Sequence, residues 1–143
     1  MASMVEEGEA ASARQMKYLD MLEAAISRMA DNQFKLRGWS VALGSAIIGF
    51  AAKDNNARVA LLAVLPVVSF WVLDAYYLML ERRFRAKYEA APKNGVDPPN
   101  FDMTPSAKDG HSLGEGLSRQ AVWLMHLPVL VLALAVGIWG WIH

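Results

Sequence analysis

Apolar residues in this chain gather in three blocks, at about positions 36–52, 59–80 and 121–142, and the charged residues lie almost wholly between them. From Val59 to Leu80 only Ser69 and Asp74 carry strongly polar side chains. As a helix rising ~1.5 Å per residue, that block is long enough to cross a hydrocarbon layer of ~30 Å. The block 121–142 is equally long. The first, Gly38–Ala52, is marginal alone, and Phe34 and Leu36, with Lys35 and Arg37 snorkelling, extend it to a usable length. The pattern predicts an all-α integral membrane protein with an N-terminal amphipathic helix and three transmembrane helices. Its segments are a cytoplasmic N-terminal helix (1–35), a transmembrane hairpin (36–80), a basic helix with a Pro-rich linker (81–120) and a third span (121–143).

Residues 1–12 are small and acidic and read as frayed. From Ala13 to about Lys35 the spacing is helical, with Leu19, Leu22, Ile26 and Met29 on one stripe that Tyr18 and Ala25 widen. Arg14, Lys17, Asp20, Ser27, Arg28 and Asp31 take the other faces. The stripe either packs on the protein's own cytoplasmic helix, joins a partner or a second subunit, or lies on the membrane; mixed charge disfavours the last. In the first span Ala42, Ser45, Gly49 and Ala52 share a stripe of small residues, which lets helices approach closely in lipid. That stripe belongs inside the bundle or at a subunit interface.

Lys53–Arg58 (KDNNAR) is a tight polar turn, so the first two spans form an antiparallel hairpin. A turn centred between Asn55 and Asn56 sets Asp74 opposite Arg37. An ionisable residue within a span is costly unless paired, so an Arg37–Asp74 ion pair is expected, with Lys35 as the partner if the register slips by a turn. Its expected role is to orient the hairpin. Pro66 is expected to kink the second span. Beyond Asp74, Tyr76 and Tyr77 suit the interfacial belt, and Tyr77, Leu80, Phe84 and Tyr88 continue as an apolar stripe on an emerging helix. Glu81 and Arg85 are spaced to pair. Arg82, Arg83, Arg85 and Lys87 form a basic cluster, read as an anchor to anionic lipid or as a docking site for an acidic or phosphate-bearing ligand.

Prolines at 92, 98, 99 and 105, with Gly95 and Gly110, mark 89–111 as an irregular linker. Asn100–Met103 is its apolar island and is expected to dock back on the helices. Ser112 and Glu115 have capping-box spacing for a helix that runs into the third span. Trp123 near one end of that span, and Trp139 and Trp141 near the other, fit two aromatic belts. His126 reads as a hydrogen-bonding or interfacial residue. Of the 14 Lys and Arg residues, five lie at or before Arg37, two in the 53–58 turn and seven in the 81–120 connection. Excess basic charge stays cytoplasmic, so the N-terminus is predicted inside and the C-terminus outside.

Composition narrows the chemistry. Fourteen acidic residues balance the 14 basic ones, which gives no bulk argument for nucleic acid. There is no cysteine, and the three histidines are scattered. No metal-ligand cluster, phosphate loop, dinucleotide loop or serine nucleophile elbow appears. The reading is a non-enzyme with no cofactor, no metal and no catalytic residue.

The runs MADNQFKLRGWS (29–40), LDAYYLMLERRFRAKY (73–88) and FDM (101–103) resemble a group of small bacterial multi-span membrane proteins. That resemblance implies an N-terminal helix, a short-turn hairpin of two spans, a basic helix and a last span, and it names no activity. The architecture also resembles, in topology, the two-span pore-forming effectors of anti-phage systems, from which the third span departs. The leading expectation is a homo-oligomeric bacterial inner-membrane protein that forms or gates a pore, with anti-phage defence as its setting. The rivals are a non-conducting anchor that recruits a soluble cytoplasmic partner, and a holin-like lysis protein, whose usual basic C-terminal tail is missing here.

Overall fold

The computed structural model describes residues 2–54, 56–91, 101–105 and 111–142, and among these the regular elements are all helices. Helix α1 runs unbroken over Ala2–Lys53, a 3₁₀ helix over Ala57–Ala63, α2 over Val64–Ala90, α3 over Leu113–Ser118 and α4 over Gln120–Ile142. At ~1.5 Å per residue α1 is ~78 Å long. Residues 2–12, expected to fray, are its first turns, because Ala, Met and Glu are strong helix formers and Gly8 is the weakest helix former among them. No break separates the amphipathic part from the apolar part.

The buried face of α1 passes through Tyr18, Leu22, Ala25, Gln33, Ser40, Gly44 and Ala51. Tyr18, Ser40 and Ala51 are each 11 or 22 residues apart, so one straight stripe meets its neighbours over the whole length. Its amino-terminal half packs on the end of α2. Tyr18, Leu22, Ala25 and Phe84 form a core, joined by Ile26, Met29, Tyr88, Phe101 and Met103. The stripe assigned to an oligomer or partner contact (Leu19, Leu22, Ile26, Met29) is therefore consumed within the chain. Leu22 is wholly buried, Leu19 half-buried, and Ile26 and Met29 lie against the same core. Phe101 and Met103 of the linker island do dock on the helices, while Asn100 lies outside the described residues, as do 92–99 and 106–110 of the linker.

The carboxyl-terminal half of α1 forms a three-helix bundle with the 3₁₀–α2 unit and α4. Small residues set the approach. A Cβ on Gly44 would stand 2.4 Å from Val129 Cγ1 and 3.2 Å from Val67 Cγ2. On Gly137 it would strike Leu61, and on Gly140 it would strike Ala57. The 3₁₀ stretch is long for its type. With three residues per turn it lines up Ala57, Ala60 and Ala63 on one ridge, of which Ala60 and Ala63 are buried. Pro66 does not kink a span. α2 begins at Val64, so Pro66 sits in the first turn, where a missing N–H costs nothing. The interior proline is Pro128 of α4, which the sequence reading passed over.

Ala42, Ser45, Gly49 and Ala52 face outward on α1, and a Cβ on Gly49 would meet nothing within 4 Å. The expectation that this stripe packs inside the bundle is corrected: Ser40, Gly44 and Ala51 do that work. The helix begun by Ser112 does not run into α4. Ser112 Oγ accepts from Glu115 N–H at 3.3 Å, but the chain turns extended at Arg119 (φ −69°, ψ 132°). Gly116 fixes this short helix, since a Cβ there would stand 2.6 Å from Ala75 O.

Among the described residues, two helical segments are long and apolar enough to cross a membrane, Ala57–Ala90 and Gln120–Gly140. The apolar end of α1 is shorter and diluted by glycine and serine.

Candidate functional site

A ladder of polar side chains runs through the bundle interior beside its buried apolar residues, among them Val67, Ala75, Val122 and Ala133. α1 contributes Gln33, Arg37 and Ser40, each one helical turn from the next. α2 contributes Asp74, Glu81 and Arg85, and α4 contributes His126. The antiparallel register places them: Arg37 meets Asp74, and one heptad along, Gly44 meets Val67.

At the outer end Arg85 pairs with Glu81, Nη2 to Oε1 at 2.7 Å. Gln33 Nε2 donates to Glu81 Oε2 at 2.5 Å, and Gln33 Oε1 accepts from Arg37 Nη2 at 3.3 Å. The Gln33 amide thus bridges a carboxylate and a guanidinium, and its orientation is fixed by both. Arg37 Nε donates to Asp74 Oδ2 at 2.8 Å. Asp74 and His126 are fully buried, whereas the Arg37 side chain keeps a quarter of its surface.

Beyond Asp74 the ladder turns to α4. His126 Nε2 lies 3.4 Å from Asp74 Oδ2, and His126 Nδ1 lies 2.8 Å from Ser40 Oγ. An ionised Asp74 offers acceptors only, so Nε2 carries the hydrogen and Nδ1 accepts from the Ser40 hydroxyl. The Trp71 ring stacks on His126 at 6.4 Å between centroids and 12° between planes. Trp71 Nε1 and Asp74 Oδ1 are buried without a hydrogen-bond partner. They lie one turn apart on α2, a donor and an acceptor that a buried water would satisfy.

Ser40, His126 and Asp74 have the composition of a hydrolytic triad, but the geometry opposes nucleophilic chemistry. Ser40 is fully buried in mid-helix, where its backbone N–H is committed to the helix and forms no oxyanion site. The arrangement fixes three helices against one another: charges alternate along it, and each ion is paired, as buried ions must be.

The other sequence-assigned residues part company. Lys35 is exposed, so Arg37 takes the pairing. The basic cluster spreads over α2: Arg83 donates to His111 O at 3.2 and 2.9 Å, Arg85 pairs with Glu81, and Lys87 binds Thr104 O at 2.9 Å and Asp102 at 3.3 Å. Arg82 alone of the four has no hydrogen bond or ion pair among the described residues. Nearby, Tyr18 O–H donates to Asp102 O at 2.9 Å, and its ring meets Phe101 edge-on. The Asp102 carboxyl is held below its usual range, first by the Thr104 backbone N–H and then by the Thr104 and Lys87 side chains. Phe101 has φ 50°, a strained value for a bulky residue that these contacts hold in place.

Gln33, Ser40 and Trp71 were not singled out from sequence. Gln33 and Ser40 could have been found by stepping one turn either way from Arg37 on α1. His126 could not be paired, because the 81–120 connection does not set the register of α4.

Among the described residues no three His, Asp or Glu side chains gather as metal ligands. No protein family, characterised protein or solved structure matches the chain.

Proposed function

We propose that this is a bacterial inner-membrane protein with three spans and a cytoplasmic N-terminus, whose copies assemble through α1 to form or gate a pore. Support for the third span comes from depth. Gly44 presses on Val67 and Val129, which lie within the two long apolar segments, so the end of α1 sits level with them. Its outward residues Phe34, Trp39, Val41, Leu43 and Phe50 are large, apolar and exposed, as a lipid-facing surface requires. The Lys and Arg count sets the orientation.

The observation that carries assembly is the outward stripe Ala42, Ser45, Gly49, Ala52. Gly44, Gly137 and Gly140 are used for close contacts within the chain; this stripe is not, and small residues facing lipid gain nothing unless another helix packs there. A conduction path would lie between subunits, because each interior is filled by the ion-paired ladder. The anti-phage setting rests on the topological resemblance alone.

The test is the mass of the particle in nanodiscs, followed by planar-bilayer recording. A defined ring-sized oligomer that Gly49→Leu reduces to monomer, together with conductance, supports the reading. A monomer or dimer refutes the pore. The alternative is a non-conducting anchor for a soluble cytoplasmic partner. Capture of a partner by a non-conducting monomer would establish it.

A further inference from the structure

Two clefts flank the carboxyl-terminal part of α2, and they share Leu78, Arg82 and Arg119. The first, about 460 Å³, lies between α2 and the start of α4. Leu78, Ala121 and Leu124 form its apolar walls, and Arg82, Arg119 and Gln120 stand at its polar end. The second, about 380 Å³, continues past Arg82 to Arg85, Glu89 and His111. The extended turn at Arg119, between α3 and α4, brings this residue from a distant part of the chain to line the same clefts as Arg82.

Arg82 and Arg119 differ from their basic neighbours. Arg83, Arg85 and Lys87 are bound to a carbonyl, a carboxylate, and both, respectively. Neither Arg82 nor Arg119 has a hydrogen bond or ion pair among the described residues, and Arg82 is half-buried. Two guanidiniums converging on one cleft make a fork-shaped donor set that suits phosphate oxygens. The apolar walls run from them toward the apolar segments of α2 and α4. The second cleft is also lined by the carboxylates Glu81 and Glu89, which disfavour a soluble anion there, whereas the first carries no acidic residue and its apolar lining suits an acyl chain.

We propose that this cleft binds an anionic phospholipid, its headgroup phosphate on Arg82 and Arg119 and an acyl chain along Leu78 and Leu124. The site rests on the membrane placement proposed above and is independent of the pore.

The experiment reconstitutes the full chain into nanodiscs of mixed phosphatidylcholine and phosphatidylglycerol and counts the lipid retained on release, by native mass spectrometry. The wild type is expected to retain phosphatidylglycerol in excess over its share of the bilayer. At ~5-fold per basic contact near a membrane surface, Arg82→Gln and Arg119→Gln should each lower that preference about fivefold, and the double variant about thirtyfold. Arg28→Gln, an exposed α1 residue away from the cleft, removes the same charge and should change nothing. Retention without headgroup preference, a preference equally lost in Arg28→Gln, or displacement of the lipid by millimolar inorganic phosphate would each overturn the proposal. Failure of the chain to enter the bilayer would overturn the membrane placement as well, which separates the two.

Discussion

Breaking the Arg37–Asp74 pair from either side should not cost the same. Asp74 has no exposed surface, and its two bonded neighbours are Arg37 at 2.8 Å and the His126 ring at 3.4 Å. Arg37→Met strands the carboxylate in the bundle, a change worth about 3–5 kcal/mol. Asp74→Asn strands the guanidinium less completely. A quarter of the Arg37 side chain reaches the surface, and Gln33 Oε1 still accepts from it, so the loss should be about 1–3 kcal/mol. The double variant removes both charges and keeps an amide oxygen for His126. It should be more stable than Arg37→Met alone, which defines a coupling of about 2 kcal/mol or more. At roughly 3–5 °C per kcal/mol for a chain of this size, Arg37→Met should lower the unfolding midpoint by about 10–20 °C. Near-UV circular dichroism in detergent is the suitable readout, because Trp71 stacks on the ladder while helix content outlasts packing. If the double variant is less stable than Arg37→Met, or if Asp74→Asn is the worse single change, the pair does not hold the bundle as argued.

Gly44 and Gly49 should separate packing within the subunit from packing between subunits. Gly44→Ala drives a methyl into Val129 and should cost about 1–3 kcal/mol in thermal unfolding, whereas Gly49→Ala meets nothing and should leave the subunit's stability unchanged. Ser40→Ala leaves His126 Nδ1 buried without a donor and should cost about 1–3 kcal/mol, read by the same unfolding assay. Docking of the 101–104 segment should be indifferent to pH near neutrality. A depressed folded pKa stabilises above the unfolded value of 3.8, and the contribution is lost as pH falls below it. The protection of the Thr104 N–H, its exchange rate relative to that of an unstructured amide at the same pH, should therefore fall only in strong acid, and Asp102→Asn should abolish that step.

How far the sequence disclosed the fold depended on what fixed each register. A six-residue turn joins the first two apolar blocks, so helical geometry carries the pairing of Arg37 with Asp74 across the hairpin. The connection after α2 is too long to transmit a register, so the partnership of His126 with Ser40 and Asp74 was out of reach. Faces were read less well than elements. Ala42, Ser45, Gly49 and Ala52 share a stripe, but Ser40, Gly44 and Ala51 share another of nearly the same composition one residue around the helix. In lipid, hydrophobicity does not distinguish an inward face from an outward one. The amphipathic stripe of Leu19, Leu22, Ile26 and Met29 was legible as a buried face. Of the partners it could take, the chain's own cytoplasmic helix is the one found: Phe84 and Tyr88 of α2 meet it, with Phe101 and Met103 of the linker island beside them.

The outer end of the ladder, Glu81 and Arg85, also lines the second cleft beside Arg82 and Arg119, and the question is whether ladder and cleft form one device. Asp74 and Arg82 are eight residues apart, ~12 Å along the axis. Glu81 is the ladder member adjacent in sequence to Arg82, and both its oxygens are taken, by Gln33 and Arg85. Among the described residues no hydrogen bond or ion pair leads from the ladder to Arg82 or Arg119. Energies of changes separated in this way add to within about 0.5 kcal/mol. Asp74→Asn and Arg82→Gln should therefore be additive in unfolding experiments in a zwitterionic detergent. They should remain additive when phosphatidylglycerol is added, with the lipid raising the midpoint of Asp74→Asn as much as that of the wild type. An interaction energy above about 1 kcal/mol, or lipid stabilisation that disappears in Asp74→Asn, would mean that α2 links headgroup binding to the ionic core. The cleft would then act as a trigger for the bundle, where the bonding pattern makes it an anchor.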